Sequence, residues 1–487
     1  MMNKERTLTS LTGIIICALF SVVCTAQSQL VVYPFPGPEA GNKAHNGDFT
    51  VKVRTPGGKW QDMYEYNVKV DEVRGIDHHV ENASMAAFDF SGEVEVSVTS
   101  NTQQVREAAI RPLSYGIAYT MSNNTVYFRL QQPKNISVEI NGDKFHNLHL
   151  FANPVQTDIP DVKDKNVIYY GPGFHEIKGG VLQVTSGKSV YLAGGAVIMG
   201  RIEVDSARDV QITGRGIIVS PQQEGVKISY TKNVLVEGIC LTQCPVGSSD
   251  SVTVRNVKSI SSHKWGDGMN VFASNNVLYD RVFCRNSDDC STVYATRKGY
   301  TGGCRNIVMQ HSTLWADVAH PVHIGLHGNT PAPDTIEGIH YRDIDILEHQ
   351  EKQVDYQGCM AINAGDNNLV KDVTFEDIRI ESIRCGQIVH LQIPFNKKYC
   401  TAPGRGIENV LFKNVTYNGS NPELSIITGY SKDRRISNVV FENLRVNGVL
   451  ISDDMKGKPG WYKTADMARM FVGEFVDGLV FKKTTRN

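Results

Sequence analysis

The sequence predicts an all-β chain in which an N-terminal β-sandwich precedes a parallel β-helix. The first observation is a family of short strands of one shape: Ser189-Val-Tyr-Leu, Asp209-Val-Gln-Ile, Asn233-Val-Leu-Val, Ser251-Val-Thr-Val, Asn276-Val-Leu-Tyr, Asn306-Ile-Val-Met, Gly338-Ile-His-Tyr, Asp372-Val-Thr-Phe, Asn409-Val-Leu-Phe and Asn438-Val-Val-Phe. The second is their spacing. Their start positions lie mostly 18 to 37 residues apart, and many are followed by a polar residue and then Asn or Asp, as in Phe375-Glu-Asp and Phe441-Glu-Asn. A variable-period repeat of this kind fits a solenoid, because no single coil can bury its own apolar face. The third is a change of pattern before residue 167. There, alternating runs such as Phe49–Val53, Tyr64–Val70, Val94–Val98 and Val126–Leu130 are separated by turn signals such as Pro56-Gly57-Gly58 and Asn141-Gly142-Asp143. This is the pattern of a sandwich.

In chain order, residues 1–26 read as an export signal. Lys4 and Arg6 make a basic start, Leu11 to Val23 an apolar core, and Cys24-Thr25-Ala26 a small-residue cleavage site, with the mature chain expected to begin at Gln27. The alternative in which Cys24 is lipidated is disfavoured by Val22-Val23 before it. No later stretch is long and apolar enough to span a bilayer, so an exported chain is expected: periplasmic, secreted or at the cell surface. Residues 27–155 form the sandwich, read as a scaffold packed on the next domain rather than a carbohydrate-binding module. Pro154 to Pro160 is the linker, within a β-helix domain taken as 156–487.

Composition excludes several classes. The 487 residues exceed one ordinary compact domain. A formal net charge of −1 and the lack of a long basic run argue against nucleic-acid binding. Eight cysteines remain beyond residue 26, all from Cys240 onward, and none forms a paired C-x-x-C motif. They are expected to be mostly free, buried thiols, with Cys240–Cys244 and Cys284–Cys290 as candidate local bridges. Oligomeric state is not legible.

The stretch Trp265–Arg297 concentrates the chemistry. Asp267 sits between Gly266 and Gly268, and Asp288-Asp289 follow about one coil later. On neighbouring rungs, about 4.8 Å apart along the stack, these carboxylates converge, repel one another and raise at least one pKa. Acid/base hydrolysis of a sugar acetal needs such a set, and it calls for no metal or cofactor. Asp280 reads as an ordinary strand-end residue. Downstream, alternation on a strand would put His323 and His327 on one face and His320 on the other. Three imidazoles this close could bind zinc, but hydrogen bonding to an Asp of the site or to a sugar is the preferred reading. Trp265, Tyr294, Tyr300 and Trp315 are candidates to stack on sugar rings or to pack a core. Arg297 is a candidate to hold substrate or an Asp.

Gly171-Pro172-Gly173, Val190–Val197 (VYLAGGAV), Ile212–Ile217 (ITGRGI), Gly266-Asp267-Gly268 and Asp288-Asp289 resemble the pectin-lyase-like superfamily, and within it glycoside hydrolase families 28 and 49. The resemblance covers residues 166 to about 450 and implies a right-handed parallel β-helix. It also implies an inverting hydrolase of a polysaccharide or oligosaccharide, with Asp288 as general acid and Asp267 and Asp289 as water-activating carboxylates. The leading sandwich and Gly-Asp-Gly-Met-Asn at 266–270 look more like family 49, which acts on neutral α-glucans; family 28 acts mainly on galacturonans. The Arg-x-Lys that family 28 carries downstream has no counterpart after His320-Pro-Val-His323, which weakens a galacturonate assignment, since that carboxylate wants a fixed cation. The same fold also hosts polysaccharide lyases and could host a non-catalytic glycan binder; in a lyase, acidic residues would hold calcium and Arg297 or Lys298 would be the base.

Overall fold

The computed structural model describes residues 28–37, 44–221, 223–262, 265–420 and 422–484. The export signal and Cys24 lie outside them. Among the described residues, no helix is long and apolar enough to cross a membrane.

Strands up to Pro154 build two packed sheets. One has six strands, including Asp77–Ser91, Lys134–Ile140 and Asp143–Pro154; the other has five, including Phe49–Arg54, Val94–Ser100 and Thr125–Leu130. Alternation does the sorting: Val51, Val53, Val94, Val96 and Val98 point into the shared core with Phe88, Phe90, Leu148 and Leu150.

From Val167–Tyr170 onward, thirty strands join one continuous sheet that coils into a right-handed parallel β-helix. Register explains the repeat. Val210, Val234, Val252, Val277, Ile307, Ile339, Val373, Val410, Val439 and Leu479 pair rung to rung in one column. Each buried aliphatic in such a column is worth about 1.5–3 kcal/mol over exposure. Two positions further on, Tyr341, Phe375, Phe412, Phe441 and Phe481 stack face to face, with centroids 4.6–5.4 Å apart. The residue opening each motif has a second job. Asp209, Asn233, Ser251, Asn276, Asn306, Asp372, Asn409 and Asn438 all have φ between 55° and 59°. That left-handed corner is one that Asn and Asp tolerate better than most residues. Their side chains form a ladder, such as Asn306 Nδ2 to Asn276 Oδ1 at 2.7 Å and Asn438 Nδ2 to Asn409 Oδ1 at 2.8 Å.

The sandwich packs on the β-helix through Phe151, Phe283, Tyr66 and Ile260 and through buried polar ties. Arg215 meets Asp89 at 2.7 Å, and Arg111 meets Glu381 at 2.7 Å. Arg285 donates to Asp317 at 2.8 Å and to Asn147 of the sandwich at 2.8 Å, while its guanidinium lies 3.9 Å from the Trp315 ring centroid. The sandwich thus grips a strand that ends two residues before Asp288.

The two candidate disulfides do not form, and all eight described cysteines are free. Cys240 faces the sandwich whereas Cys244 faces the coil interior. Cys284 and Cys290 both fill that interior as small apolar groups, and burial pushes both thiols up.

Candidate active site

Three successive rungs turn the same corner. One passes from Lys258–Ile260 through Gly266-Asp267-Gly268 into Met269–Phe272. The next passes from Phe283–Asn286 through Asp288-Asp289 into Ser291–Tyr294. The third passes from Cys304–Ala316 through His320 into Val322–Gly325. Backbone bonds stitch them: the Gly268 N–H donates to Asp289 O at 2.9 Å and the Cys290 N–H to His320 O at 2.8 Å. Asn286 donates from one amide to Ser259 Oγ (3.0 Å), Ser261 Oγ (2.9 Å) and the Asp267 carbonyl (3.1 Å), tying the first corner to the second. The glycines are required by crowding. A Cβ on Gly268 would lie 2.4 Å from Cys290 O and 2.5 Å from Asn286 Oδ1, and one on Gly266 would lie 2.2 Å from Ser287 Oγ.

The three carboxylates have different surroundings. Asp289 is buried. Its Oδ1 accepts from the His320 ring Nδ1 at 2.7 Å and from the His320 backbone N–H at 3.2 Å. Its Oδ2 accepts from Tyr294 OH at 2.9 Å. Burial alone would raise its pKa, but the charge and hydrogen bond of His320, helped by His323, hold it well below the usual carboxylate range. Asp288 keeps some exposure, and its Oδ1 accepts the Asp289 N–H at 2.9 Å. Desolvation by the surrounding protein, then the charges of Asp267 and Asp289, push it well above the ordinary value. Asp267 also keeps some exposure and accepts from Asn270 Nδ2 at 2.6 Å. Desolvation and Asp289 raise it to about 7, against the Asn270 bond and the charges of Lys298 and Arg297. These surroundings favour the neutral form of Asp288 and the ionised form of Asp289, with Asp267 raised between them. Groups whose environments drive their pKa values apart are what proton-transfer catalysis uses.

His320 and His323 are fully buried and stack with ring centroids 4.4 Å apart. The expectation that His320 points away from His323 fails because the strand begins only at Val322, so alternation does not reach His320. Burial works against charge on His320, but Asp289 overcomes it and raises the pKa. Burial and the neighbouring His320 lower that of His323. His323 sits 2.8 Å from Tyr294 OH through Nδ1 and 3.0 Å from Asn363 Oδ1 through Nε2. Asp289, His320 and His323 bring ligand atoms within 4.8 Å of one another, a set a divalent cation could use; in the structure those atoms satisfy one another. His327 stands apart from that set, with its ring edge on Tyr294 at 5.0 Å and its pKa lowered to about 3 by burial and then Arg297.

Of the four aromatics, Trp265 alone presents its ring, 70% exposed. Tyr294 is buried and spends its hydroxyl on Asp289, so it does not stack on sugar. Tyr300 is buried with its hydroxyl 2.6 Å from Ser229 Oγ. Trp315 is buried under Arg285, against the sandwich side. Arg297 lies with its guanidinium 4.9 Å from the Tyr294 centroid and makes no ion pair among the described residues. Asp280 is a structural charge, held by Arg281 at 2.8 Å and His311 at 2.9 Å. Sequence reasoning missed Tyr356, Asn363 and His390. Tyr356 accepts His320 Nε2 through its carbonyl at 2.8 Å, and Asn363 links His323 to His390. They reach the site from later coils, and no local spacing marks them.

A β-helix that brings three carboxylates of two adjoining rungs, and a histidine of a third, to one corner fits the pectin-lyase-like class of carbohydrate-active proteins. The profile of Glycosyl hydrolases family 28 matches residues 125–459, and the chain belongs to that family; it is a glycoside hydrolase. A search of curated proteins by sequence finds no match. Among solved structures, Dex49A from Penicillium minioluteum is similar over 93% of this chain and 96% of its own, with 14% identity and a TM-score of 0.58, which shows a shared fold. The family 28 exopolygalacturonase of Yersinia enterocolitica aligns over 80% of this chain and 96% of its own, with 10% identity and a TM-score of 0.45.

Proposed function

We propose that the chain is an exported, inverting hydrolase of a polysaccharide or oligosaccharide, with Asp288 as general acid and its base among Asp267 and Asp289. The observation that carries this reading is the convergence of three carboxylates on one corner in unlike surroundings: Asp289 accepts from His320 and Tyr294, which favours its ionised form, while desolvation and its acidic neighbours favour the neutral form of Asp288. Asp288 gives its proton to the glycosidic oxygen as that bond breaks. A water on the opposite side loses a proton to the base as its oxygen joins the anomeric carbon. One displacement inverts the centre, and solvent then resets both carboxyl groups. Trp265 supplies a ring for a sugar face, and Arg297, just past the strand Ser291–Tyr294 on the next rung, a cation. The neutral amides and imidazoles Asn270, Asn363 and His390 line the pairing rows beside the triple.

The test is digestion of a panel of neutral and acidic polysaccharides, including dextran and polygalacturonate, with proton NMR of the first-formed product. A new reducing end that keeps the substrate's anomeric configuration would refute the inverting reading, and an unsaturated, ultraviolet-absorbing product would point to a lyase. Export is inferred from the basic, apolar and small-residue succession of residues 1–26. Sequencing of the cell-envelope or secreted form should begin at Gln27, and one that reads Met1 would sink it.

A further inference from the structure

We propose that Asp289 is a positioning carboxylate and that Asp267 alone takes the proton from the attacking water. The inference rests on the acid/base reading above and divides a role that the sequence assigned to both residues.

The lone pairs of Asp289 are almost all engaged. Oδ1 of Asp289 already accepts two N–H groups of His320, one from the ring and one from the backbone, and Oδ2 accepts Tyr294 OH with His323 Nδ1 at 3.5 Å behind it. A carboxylate has about four acceptor positions; three are used and the fourth is crowded by an imidazole in a buried pocket. His320 lies between two oxygens. Its Nδ1 faces a carboxylate and its Nε2 faces the Tyr356 carbonyl at 2.8 Å, both of which only accept. A neutral imidazole has one N–H. With Asp289 in the ionised form that its surroundings favour, both ring nitrogens face acceptors and call for the imidazolium, so the two residues form a buried ion pair. A carboxylate facing that charge is a weak base, which agrees with its depressed pKa.

Asp267 has the opposite environment. Its Oδ2 accepts Asn270 Nδ2, and among the described residues no donor reaches Oδ1. The Asn270 amide cannot turn round, because its Oδ1 accepts Thr292 Oγ1 at 2.8 Å. Asp267 thus offers an open oxygen at a partly exposed corner. The groups that face it are Asp288 and Asp289 on the next rung and, beyond the strand, Lys298 and Arg297. Asp289 itself faces His320, His323, Tyr294 and Tyr356, and Glu351 adds its charge to Asp288. In the step so assigned, water gives H⁺ to Asp267 Oδ1, and its oxygen pair bonds the anomeric carbon. The glycosidic C–O pair leaves with the oxygen, which takes the Asp288 proton.

Sodium azide tests the division, because azide attacks carbon with its own lone pair and needs no base. On whichever polysaccharide of the panel the wild type cleaves, Asp267→Ala should lose about 10²–10⁴-fold in kcat. Azide should raise its rate and yield a glycosyl azide of inverted configuration. Asp289→Ala should fall without azide rescue. A pH profile adds a readout that a purely structural role would not move: Asp289→Asn should keep the ascending limb and shift it to lower pH, since the Asp289 charge helps raise Asp267. Rescue of Asp289→Ala and not of Asp267→Ala, or loss of the ascending limb in Asp289→Asn, overturns the proposal while leaving the hydrolytic reading intact. Should the Asp289 variants fail to fold, Asp267→Ala decides alone: a wild-type rate overturns the proposal. An azide adduct of retained configuration instead overturns the inverting reading beneath it.

Discussion

Asp288→Asn should abolish acid catalysis while leaving the corner folded. The amide is nearly isosteric, and its oxygen can still accept the Asp289 N–H that Asp288 Oδ1 accepts at 2.9 Å. What it lacks is a proton to give. In the wild type the enclosing protein and then the charges of Asp267 and Asp289 favour the protonated form. A positioned general acid contributes about 10²–10⁴-fold, or about 3–5 kcal/mol of barrier at 1.36 kcal/mol per decade. The loss should depend on the leaving group. A polysaccharide, whose sugar oxygen must be protonated to depart, should show the full effect. A nitrophenyl glycoside of the released sugar, whose phenolate departs unaided, should show little. Steady-state kcat on both substrates, with circular dichroism and thermal melting as fold controls, makes the measurement. A folded variant with an unchanged rate on the polymer, or an equal loss on both substrates, would place the acid elsewhere.

Arg297→Gln should move the ascending limb of the kcat/KM profile to higher pH, because Arg297 is one of the cations that pull the Asp267 pKa down from an already raised value; a shift to lower pH would contradict the assignment of that limb to Asp267. Gly268→Ala should cost activity and stability together, since the added methyl meets the Cys290 carbonyl and Asn286; overpacking of this kind costs about 1–3 kcal/mol, readable as a lowered urea midpoint, and an unchanged midpoint would show that the corner can yield. Exhaustive chelation should leave turnover unchanged; loss restored by zinc would make Asp289, His320 and His323 metal ligands.

Much of the β-helix was legible because its constraint is local and repeated. The Asn, Asp or Ser that opens most of the motifs is what a left-handed corner wants, and the aliphatic and aromatic positions that follow are the inward columns. The candidate corner was legible for the same reason: Gly266-Asp267-Gly268 and Asp288-Asp289 fall one coil apart, and the glycines are explained by crowding that any added Cβ would violate. What failed was reasoning that assumed regular strand where the chain turns. His320 lies before its strand begins, so its facing could not be read by alternation. Cys240 and Cys244, four residues apart, lie across a corner and face different cores. Tyr294 and Trp315 look alike in sequence to Trp265, yet only contacts from later coils and from the sandwich decide which ring is covered. Tyr356 and Asn363 come from coils whose long loops carry no spacing rule, and they were invisible for that reason.

The carboxylate triple makes chemical sense only once the histidines are placed beneath it. Three acidic groups on adjoining rungs would, by repulsion alone, all drift toward neutrality, leaving acids without a base. His320 breaks that symmetry. By donating from both ring nitrogens it favours the ionised form of Asp289, which is buried. That charge then adds to the effect of burial: desolvation, then Asp267 and Asp289, raise Asp288, which favours its holding a proton for the leaving oxygen, and desolvation, then Asp289, raise Asp267, which becomes a stronger base than an ordinary carboxylate. Asn270, Lys298 and Arg297 offset part of the second effect, so Asp267 is drawn back toward neutrality of pH while Asp288, without those partners, is not. One buried ion pair thus sets an acid and a base apart on neighbouring rungs with no change in residue type.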